Sequence, residues 1–328
     1  MAELRWLDAA DEDGWAELAG LFTDYCREAI PADPPVSGDE WRSRARHVPA
    51  HARTHHVMAV EGDRAVAAAA FGMNTLRPKS AWLMFLFVAP EHRRRGIGSC
   101  LFDTVRDTAR AAGRDRIRTS TVVGHAAGAA FATRAGARPG LVNEVNRCPT
   151  AALDVEQLRG WRDRAVERAA AYSLVAFDGV CPEEHLDAFV AAIPIMNTAP
   201  RMDGTEDVVP SRQEVRENMQ AFADDGASWT VCARHDGTGQ FVGYTELFFP
   251  VHRPWLAAQG DTGVHPDHRE RGIGRWLKAH NALRLLAERP DVQFIETYNA
   301  SGNAAMLSIN RAMGFEVVAR RQEWDVPV

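Results

Sequence analysis

The chain contains the same strand-loop-helix pattern twice, and this repeat limits the folds that it can adopt. Residues 88–98 and 264–274 both read Val-x-Pro-x-x-Arg-x-x-Gly-x-Gly, and the second copy lies 176 residues after the first. An apolar run ends at each valine, and apolar residues at helical spacing follow each second glycine. Because a repeated pattern of this length indicates a repeated structural unit, the chain is predicted to fold as two similar modules.

The loop of each copy has the features of a phosphate-binding site. The first turn of a helix has backbone N–H groups without internal partners and carries the positive end of the helix dipole, so it attracts anions. Gly272 and Gly274 let the backbone approach a ligand, because no Cβ intervenes, and Arg269 and Arg271 add charged donors for phosphate oxygens. The alternative is a tight turn with solvated arginines, which is the favoured interpretation of a single isolated copy. The repetition favours the ligand-binding interpretation.

This pattern resembles the acyl-CoA-binding motif of the GNAT superfamily of N-acetyltransferases, and the whole chain resembles the tandem members of that superfamily. The resemblance implies an α/β (α+β) fold of two GNAT-like modules, each with a mixed, splayed β-sheet flanked by helices. It also implies acetyl-CoA, or another acyl-CoA, as the cofactor, with the pantetheine arm in the gap between the fourth and fifth strands. The residues that the resemblance assigns to the cofactor are Val264, His265, Arg269, Glu270, Arg271, Gly272, Ile273, Gly274, Arg275, Asn299 and Asn303, and, in the first copy, Val88, Arg93, Arg94, Arg95, Gly96, Ile97, Gly98 and Ser99.

The length and the repeat together predict the domain organisation. A chain of 328 residues is longer than a single core usually supports, and its 46% hydrophobic and 25% charged residues are typical of globular proteins. We expect an N-terminal module over residues 1–150, degenerate in its chemistry, and a catalytic C-terminal module over residues 170–328. Residues 151–169 carry Leu158, Trp161 and Ala165 at helical spacing and are predicted to form a helical linker.

Composition narrows the classes of partner and compartment. The net charge of −6 and the lack of a long basic run argue against a nucleic-acid partner. Five dispersed cysteines indicate reduced thiols, and no signal-peptide pattern or membrane-length apolar run appears, so we expect a cytoplasmic protein without membrane contact, as a monomer or homodimer. His47, His51, His55 and His56 lie close together, but Pro49 interrupts any helix there and no nearby carboxylate pattern completes a zinc set, so no metal is expected.

Four segments of the second copy carry structural expectations. Residues 182–197 are predicted to form one helix, and Ser211 followed by Glu214 is a capping-box signature for the start of the next. Residues 197–210 between them are polar and rich in turn residues. In the family this region shapes the acceptor site, so it is either a lid or a plain connector. After Phe315 we expect a pair of strands ending near Trp324.

The helix that follows the fifth strand differs between the two copies. Asn303, Gly314 and Phe315 fall where the family pattern has them, whereas His125 and the dipeptide Gly136-Ala137 occupy the corresponding places of the first copy. The first copy therefore keeps its glycine loop and departs from the family in the region of the chemistry.

The candidate catalytic residues lie in the second copy. A lysine-like amine has a pKa near 10 and must lose a proton before it attacks a thioester, so a general base is useful. Glu246 on the third strand and Asp261 on the fourth are the candidate bases, and residues 81–88 of the first copy contain no carboxylate. The tyrosine acid that is common in the family is replaced by Ala132 and Asn310. Tyr298 is the candidate substitute, and the alternative is that it is a packed aromatic residue.

These residues predict an acetyl-CoA-dependent N-acetyltransferase that moves an acyl group to a small-molecule primary amine by direct attack on the thioester in the C-terminal module. One alternative is a non-catalytic acyl-CoA-binding or scaffold protein, which the missing tyrosine favours. Another is a different acyl-CoA reaction on the same fold. Release of CoA only when an amine is present would separate the first prediction from the binding-only alternative.

Overall fold

The computed structural model describes residues 2–31 and 33–328 of the chain. They form two compact units, of which the first comprises Met1–Val142 together with Ala319–Val328, and the second Asn143–Val318. The predicted fold class is confirmed, because each unit contains a mixed sheet with helices packed against it.

The first unit contains a sheet with strand order β1-β2-β3-β4-β5-β12, in which β4 and β5 are parallel and the other described pairs are antiparallel. Its elements are β1 (Glu3–Trp6), α1 (Glu12–Ala29), α2 (Gly38–Arg46), β2 (Ala52–Glu61), β3 (Arg64–Asn74), β4 (Ser80–Val88), α3 (Ile97–Ala111), β5 (Arg116–Val122), α4 (Ala126–Arg134) and β12 (Glu316–Pro327). Two apolar clusters cover its faces, one under α3 and one under α1 and α2.

The second unit repeats this arrangement with strand order β6-β11-β10-β9-β8-β7, and here β10 and β11 form the parallel pair. Its elements are β6 (Arg138–Pro149), α5 (Val155–Arg168), β7 (Tyr172–Asp178), α6 (Glu183–Ala192), α7 (Arg212–Asp224), β8 (Gly226–His235), β9 (Phe241–Pro250), β10 (Leu256–Val264), α8 (Ile273–Glu288), β11 (Phe294–Ala300) and α9 (Ala304–Ala312). The helices α5 and α8 pack on one face of this sheet, and α6 and α7 on the other.

The last strand of each sequence repeat lies in the sheet of the other unit. β12 pairs antiparallel with β5 from Arg321 opposite Val122 to Pro327 opposite Arg116. β6 pairs antiparallel with β11 from Pro149 opposite Phe294 to Asn143 opposite Ala300. The compact units therefore divide the chain at residues 142 and 318, whereas the sequence predicts a division near residue 150 with a linker that ends at residue 169.

The predicted elements near these strands need two corrections. The expected pair of strands after Phe315 is one long strand, β12, and the sequence gives no expectation of β6. The cause in β6 is that polar Glu144 and Asn146 are as buried as Val145, so the strand lacks the apolar alternation that would identify it.

Two helical predictions of the second unit also differ from the structure. The helix expected over residues 182–197 ends at Ala192 and continues as a 3₁₀ helix over Ile193–Thr198, because Pro194 lacks the N–H that an α-helix requires. The expected linker is α5, and its Leu158 and Trp161 lie in the core beside Leu285 of α8. The capping box of Ser211 and Glu214 is confirmed at the start of α7.

The clustered histidines have packing roles in the first unit. His55 stacks on Phe71 with 4.9 Å between ring centroids, and His56 meets the edge of Trp15 at 4.8 Å. Within residues 2–31 and 33–328, no group of three or more histidine, cysteine or acidic side chains is arranged to hold a metal ion. None of the described helices is long and apolar enough to cross a membrane.

Candidate functional site

The two glycine loops have the same backbone conformation. Arg94 and Glu270 have φ values of 63° and 65°, and Gly96 and Gly272 have φ values of 85° and 82°. Each glycine is the N-cap of the helix that follows, α3 or α8. A side chain at these glycines would be strained by the positive φ, although a Cβ would meet no neighbouring atom. A glycine N-cap also has no side-chain oxygen, so the first-turn N–H groups stay available for an anion.

The first arginine of each motif holds its own loop in place. Nε of Arg93 donates to the carbonyl of Val88 at 2.9 Å, and Nε of Arg269 donates to the carbonyl of Val264 at 3.0 Å. Nη2 of Arg269 donates to Thr198 Oγ1 at 2.7 Å, so this arginine connects the glycine loop to the segment after α6. Contact of Arg269 with phosphate stays a prediction, and its observed role is to fix the loop.

Other predicted loop residues divide into four groups. Arg271 donates to the carbonyl of Asp267 at 2.8 Å, and Arg95 pairs with Glu61, so both stabilise the loops. Ile97, Ile273 and Val264 pack into the cores and position the helix starts. Ser99, Arg275 and His265 are exposed; the Arg275 guanidinium lies 5.5 Å from the centre of the Trp161 ring. A Cβ added at Gly98 would lie 3.4 Å from the Val88 side chain, and one added at Gly274 would lie 3.5 Å from the Ile309 side chain, so both would make ordinary van der Waals contacts.

Each parallel strand pair opens into a gap beside its glycine loop. β4 and β5 pair only from Ser80 to Trp82, and β10 and β11 only from Leu256 to Ala258. A β-bulge follows in each case: Met84 is the extra residue in β4, and Gly260 and Asp261 together lie opposite Glu246 in β10. The bulge turns the strand away from its parallel neighbour, which produces the predicted splay.

In the first unit this gap is a cavity of about 420 Å³, a size typical of small-molecule sites. Its lining includes Gly96, Gly98 and Ser99 of the loop, together with Leu83, Val88, Phe102, His125, Phe131 and Ala132. His125 Nε2 is hydrogen-bonded to Glu28 at 2.8 Å, and Glu28 also accepts from Arg93. The Arg93 guanidinium and His125 hold the pKa of Glu28 at about 2.

The asparagines of the second unit lie along the corresponding gap. Asn303 is the N-cap of α9, and its Oδ1 accepts from the Met306 N–H at 3.3 Å. Asn310 Nδ2 donates to Asn299 Oδ1 at 2.7 Å. Asn310 Oδ1 is buried and has no hydrogen-bond partner among the described residues. In the sequence, Asn310 is notable only because it replaces the tyrosine of the family. In the structure, its buried Oδ1 is available to accept a hydrogen bond from an amide N–H of a ligand.

The candidate bases meet at the bulge of β10. Glu246 is half-buried, and the backbone N–H of Asp261 donates to its carboxylate. Burial raises the pKa of Glu246 to about 8, and the neighbouring Asp261 carboxylate adds to this rise. Asp261 is exposed and accepts a hydrogen bond from the Tyr244 hydroxyl at 3.2 Å. The structure thus places the two predicted carboxylates together at the surface of one strand pair.

Two tyrosines complete the description of this face. Tyr244 lies two residues before Glu246 on the same side of β9, and the period of two along the strand was the signal that would have identified it. Burial raises the pKa of Tyr244 well above its usual value, so it is a hydrogen-bond donor to Asp261. Tyr298 lies on β11, with 55% of its surface exposed, and its role as an acid stays a prediction.

Apolar walls flank the two carboxylates. A Cβ on Gly260 would lie 2.4 Å from the Phe248 ring, and a Cβ on Gly263 would lie 2.9 Å from both Ile195 and Met196. Phe248 packs against Phe222 of α7 at 4.4 Å between centroids. The glycines thus make room for apolar side chains on both sides of Asp261, so the two carboxylates form an acidic pair with apolar flanks.

The corresponding face of the first unit is a closed apolar core. Ala68 and Ala70 of β3 and Phe85 of β4 pack there against Trp15 and Trp41. Ala70 occupies the place of Glu246 in the repeat, so this face offers no carboxylate at the position of the candidate base. The first unit has a cavity beside its glycine loop but no acidic pair on this face.

Comparison with known proteins agrees with this geometry. The family model described as Acetyltransferase (GNAT) family matches residues 15–137 and 195–315. No curated protein sequence matches the chain. A tandem GNAT protein from the clavulanic acid biosynthesis pathway, solved without AcCoA, has 25% sequence identity and a TM-score of 0.75, and the match covers 99% of this chain and 98% of that one.

A second solved structure supports the fold alone. A GCN5-related N-acetyltransferase from Sphaerobacter thermophilus has 16% identity and a TM-score of 0.71 over 99% of this chain and 95% of its own. The family model matches both repeats, and each repeat has a glycine loop beside a splayed strand pair. The chain belongs to the acetyltransferase (GNAT) family.

Proposed function

We propose that the chain is an acyl-CoA-dependent N-acetyltransferase that transfers an acyl group to a small-molecule primary amine in its second unit. The observation that carries this proposal is the pair Glu246 and Asp261 at the β10 bulge, beside the gap that follows Ala258. Acetyl-CoA is the general donor of the family. The chain works without nucleic acid or membrane, as a monomer or homodimer, in the reducing cytoplasm, where its five free cysteines stay thiols.

The residues of the second unit suit an acyl-CoA in three respects. The N–H groups after Gly272 would hold the pyrophosphate, and the unpaired edge of β10 beyond Ala258 would bind the pantetheine arm as an added strand would. The free Oδ1 of Asn310 would accept an amide N–H of the arm. When bound, the acyl-CoA supplies a thioester whose thiolate leaves with little acid assistance, because the parent thiol has a pKa of about 8.5.

The acidic pair of Glu246 and Asp261 would bind and deprotonate the amine. Asp261 is exposed and attracts the ammonium group of the substrate, and Tyr244 holds its carboxylate in position. The approaching ammonium favours the charged form of Glu246, so the carboxylate becomes the proton acceptor as the amine is freed for attack. Backbone N–H groups at a bulge are left out of the ladder, and one of them would stabilise the oxyanion.

The first unit favours a second, binding-only role. Its gap is a cavity of about 420 Å³ beside a complete glycine loop, but its acceptor face is apolar. This combination supports acyl-CoA binding without transfer in the first unit. If the second unit also binds without transfer, the whole chain is a non-catalytic acyl-CoA-binding or scaffold protein.

The test is calorimetric titration of acetyl-CoA into the whole protein and into Gly96→Val and Gly272→Val. A branched residue at φ 82° or 85° distorts only the loop that contains it, so each variant should lose binding at one unit. CoA release in the presence of an amine panel should persist in Gly96→Val and disappear in Gly272→Val. Activity that is lost only in Gly96→Val would assign catalysis to the first unit. CoA release that is absent with every amine would favour the binding-only role.

A further inference from the structure

A buried lysine lies at the narrow end of the gap in the second unit. Lys278 of α8 is 1% exposed, and its Nζ donates to Gln259 Oε1 at 3.3 Å. Gln259 directly follows Ala258, the last residue of β10 that pairs with β11. The amine therefore lies where the two strands part.

The surroundings of this amine leave it without an opposite charge. Gln259 is held in place because its Nε2 donates to Thr245 Oγ1 at 3.1 Å and to the Glu246 carbonyl. The Phe315 ring lies 5.5 Å from Nζ, and no carboxylate pairs with Lys278 in the part of the chain that the structure describes. Burial lowers the pKa of Lys278 to about 7. One of the three N–H bonds of an ammonium is used by Gln259, and the others remain for a ligand.

The repeat shows what this position looks like without the lysine. Six residues after each N-cap glycine, the first unit has Phe102 where the second has Lys278. The counterparts of Gln259 and Cys148 are Leu83 and Val326, since Cys148 and Val326 pair with corresponding isoleucines of β11 and β5. Phe102, Leu83 and Val326 line the cavity of the first unit. The floor of the gap is thus apolar in one unit and polar in the other.

The choice of lysine is itself informative. The chain has 36 arginines and two lysines, Lys79 and Lys278. An arginine stays charged in any protein environment, whereas a buried lysine can be neutral when its site is empty and charged when an anion binds. An amine at this place can therefore respond to the charge of a ligand.

The direction of the bound donor follows from the strand. The glycine loop lies just beyond Val264, at the wide end of the gap, and Gln259 lies five residues back along β10, roughly 17 Å at about 3.3 Å per residue. A donor whose pyrophosphate binds at the loop and whose arm follows β10 brings its acyl end to the narrow end of the gap. This step rests on the proposed function.

We propose that the second unit accepts an acyl-CoA whose acyl group ends in a carboxylate, and that the Lys278 amine, positioned by Gln259, binds this carboxylate. A dicarboxylic acid joined to CoA through one carboxyl group has the required chemistry. The terminal carboxylate supplies the charge partner that a buried ammonium lacks, whereas a methyl group leaves the amine without a partner. The first unit, with its apolar floor, accepts an uncharged acyl group.

The experiment compares succinyl-CoA and acetyl-CoA by calorimetry on the full chain, in the Gly96→Val background so that only the second unit binds. We expect succinyl-CoA to bind about 10- to 100-fold more tightly, as for hydrogen bonds to a charged group. Lys278→Met should remove this preference and change the affinity for acetyl-CoA less than about threefold. Lys79→Met, at the other lysine, is the matched control and should keep the preference.

Proton uptake gives a second readout, measured first with Lys278 in place and then in two variants. At pH 8, above the Lys278 pKa of about 7, the amine is mostly neutral before a ligand binds. A bound carboxylate favours the ammonium form, so Lys278 should take up a proton when succinyl-CoA binds and should not when acetyl-CoA binds. Buffers with different ionisation enthalpies measure this uptake. The other titratable groups nearby are the Cys148 thiol on β6 and Glu246 on β9. Uptake that persists in Glu246→Gln and is absent in Lys278→Met assigns the proton to the lysine.

Two results would overturn the proposal: equal affinities for the two donors, or a preference for succinyl-CoA that survives Lys278→Met. If Lys278→Met does not fold, the same comparison is made with Lys278→Gln. Proton uptake by the chain with Lys278 in place then tests the proposal, and no uptake on binding of succinyl-CoA would overturn it. If neither donor binds in the Gly96→Val background, the proposed function of the second unit fails as well. Tight binding of acetyl-CoA without preference overturns only the donor assignment.

Discussion

Glu246 is the residue whose chemistry depends most on its surroundings. Its carboxyl group has a pKa of about 8, because burial and the Asp261 carboxylate both disfavour the charged form. A base must be deprotonated to act, so the charge state of this single side chain ties the proposed reaction to pH. The sequence identified both carboxylates by their place on neighbouring strands. It could not predict the shifted pKa, which depends on how the bulge brings Asp261 toward Glu246.

We therefore expect activity to rise with pH through about 8, as Glu246 loses its proton. Glu246→Gln should lower kcat about 10²- to 10⁴-fold, the usual contribution of a general base, and should remove this limb of the profile. The measurement is kcat/KM against pH with one amine at a fixed acyl-CoA concentration. Glu156→Gln, an exposed carboxylate on α5, is the control and should leave the profile unchanged. A full rate with the same profile in Glu246→Gln would exclude this residue as the base.

At the scale of single elements, the acceptor side depends on aromatic packing at the bulge. Phe222 keeps 49% of its surface exposed while its ring packs on Phe248, which in turn covers Gly260. A half-exposed aromatic pair beside two carboxylates suits an amine with an apolar body. Phe248→Ala should raise KM for such amines about 10-fold or more, from the loss of apolar burial, and leave the acyl-CoA Kd unchanged. Trp82→Ala, an exposed aromatic of the first unit, should change neither value. An unchanged KM would place the acceptor elsewhere.

Helix α5 shows what sequence pattern can and cannot establish about an element. Its helical spacing predicted the helix correctly, but a charged, amphipathic segment between two repeats resembles a linker. Leu158 and Trp161 pack instead in the core against α8. The same limit applies after α6. The sequence shows Pro194, but it does not indicate that the last turn becomes a 3₁₀ helix.

Trp161→Ala should therefore destabilise the second unit by about 3–5 kcal/mol, the usual cost of removing a buried tryptophan. Chemical denaturation followed by circular dichroism measures this loss. A flexible linker would predict almost no change, as would be expected for the exposed pair Glu156 and Arg159 on the same helix. Arg159→Ala is accordingly the control, with an expected change within about 0.5 kcal/mol.

At the scale of the whole molecule, the exchange of β6 and β12 makes each unit depend on both sequence repeats. Residues 1–150 lack β12, and residues 170–328 lack β6, so each fragment would expose one edge of a central strand, β5 or β11. The repeat predicted two modules, and the structure confirms two. The exchange could not be predicted, because β6 and β12 carry no signal that distinguishes one partner sheet from the other.

Each fragment expressed alone should therefore aggregate or unfold, whereas the full chain stays folded. Size-exclusion chromatography and thermal unfolding provide the measurement. The control joins residues 1–142 to residues 316–328 through a short flexible linker, which restores β12 beside β5 and should recover a cooperative transition. A stable, monomeric 1–150 fragment would show that the exchanged strand is dispensable.

The exchanged strand also sets the order in which the chain can be completed on the ribosome. β12 is synthesised after the entire second unit, so the first sheet waits for its last strand while residues 143–318 are made, roughly 10–35 s at about 5–20 residues per second. During that interval β5 has an open edge. The sheet of the second unit has all of its strands as soon as β11 emerges, because β6 to β10 precede β11 in the chain. The half of the protein that is translated first is thus the half that finishes folding last.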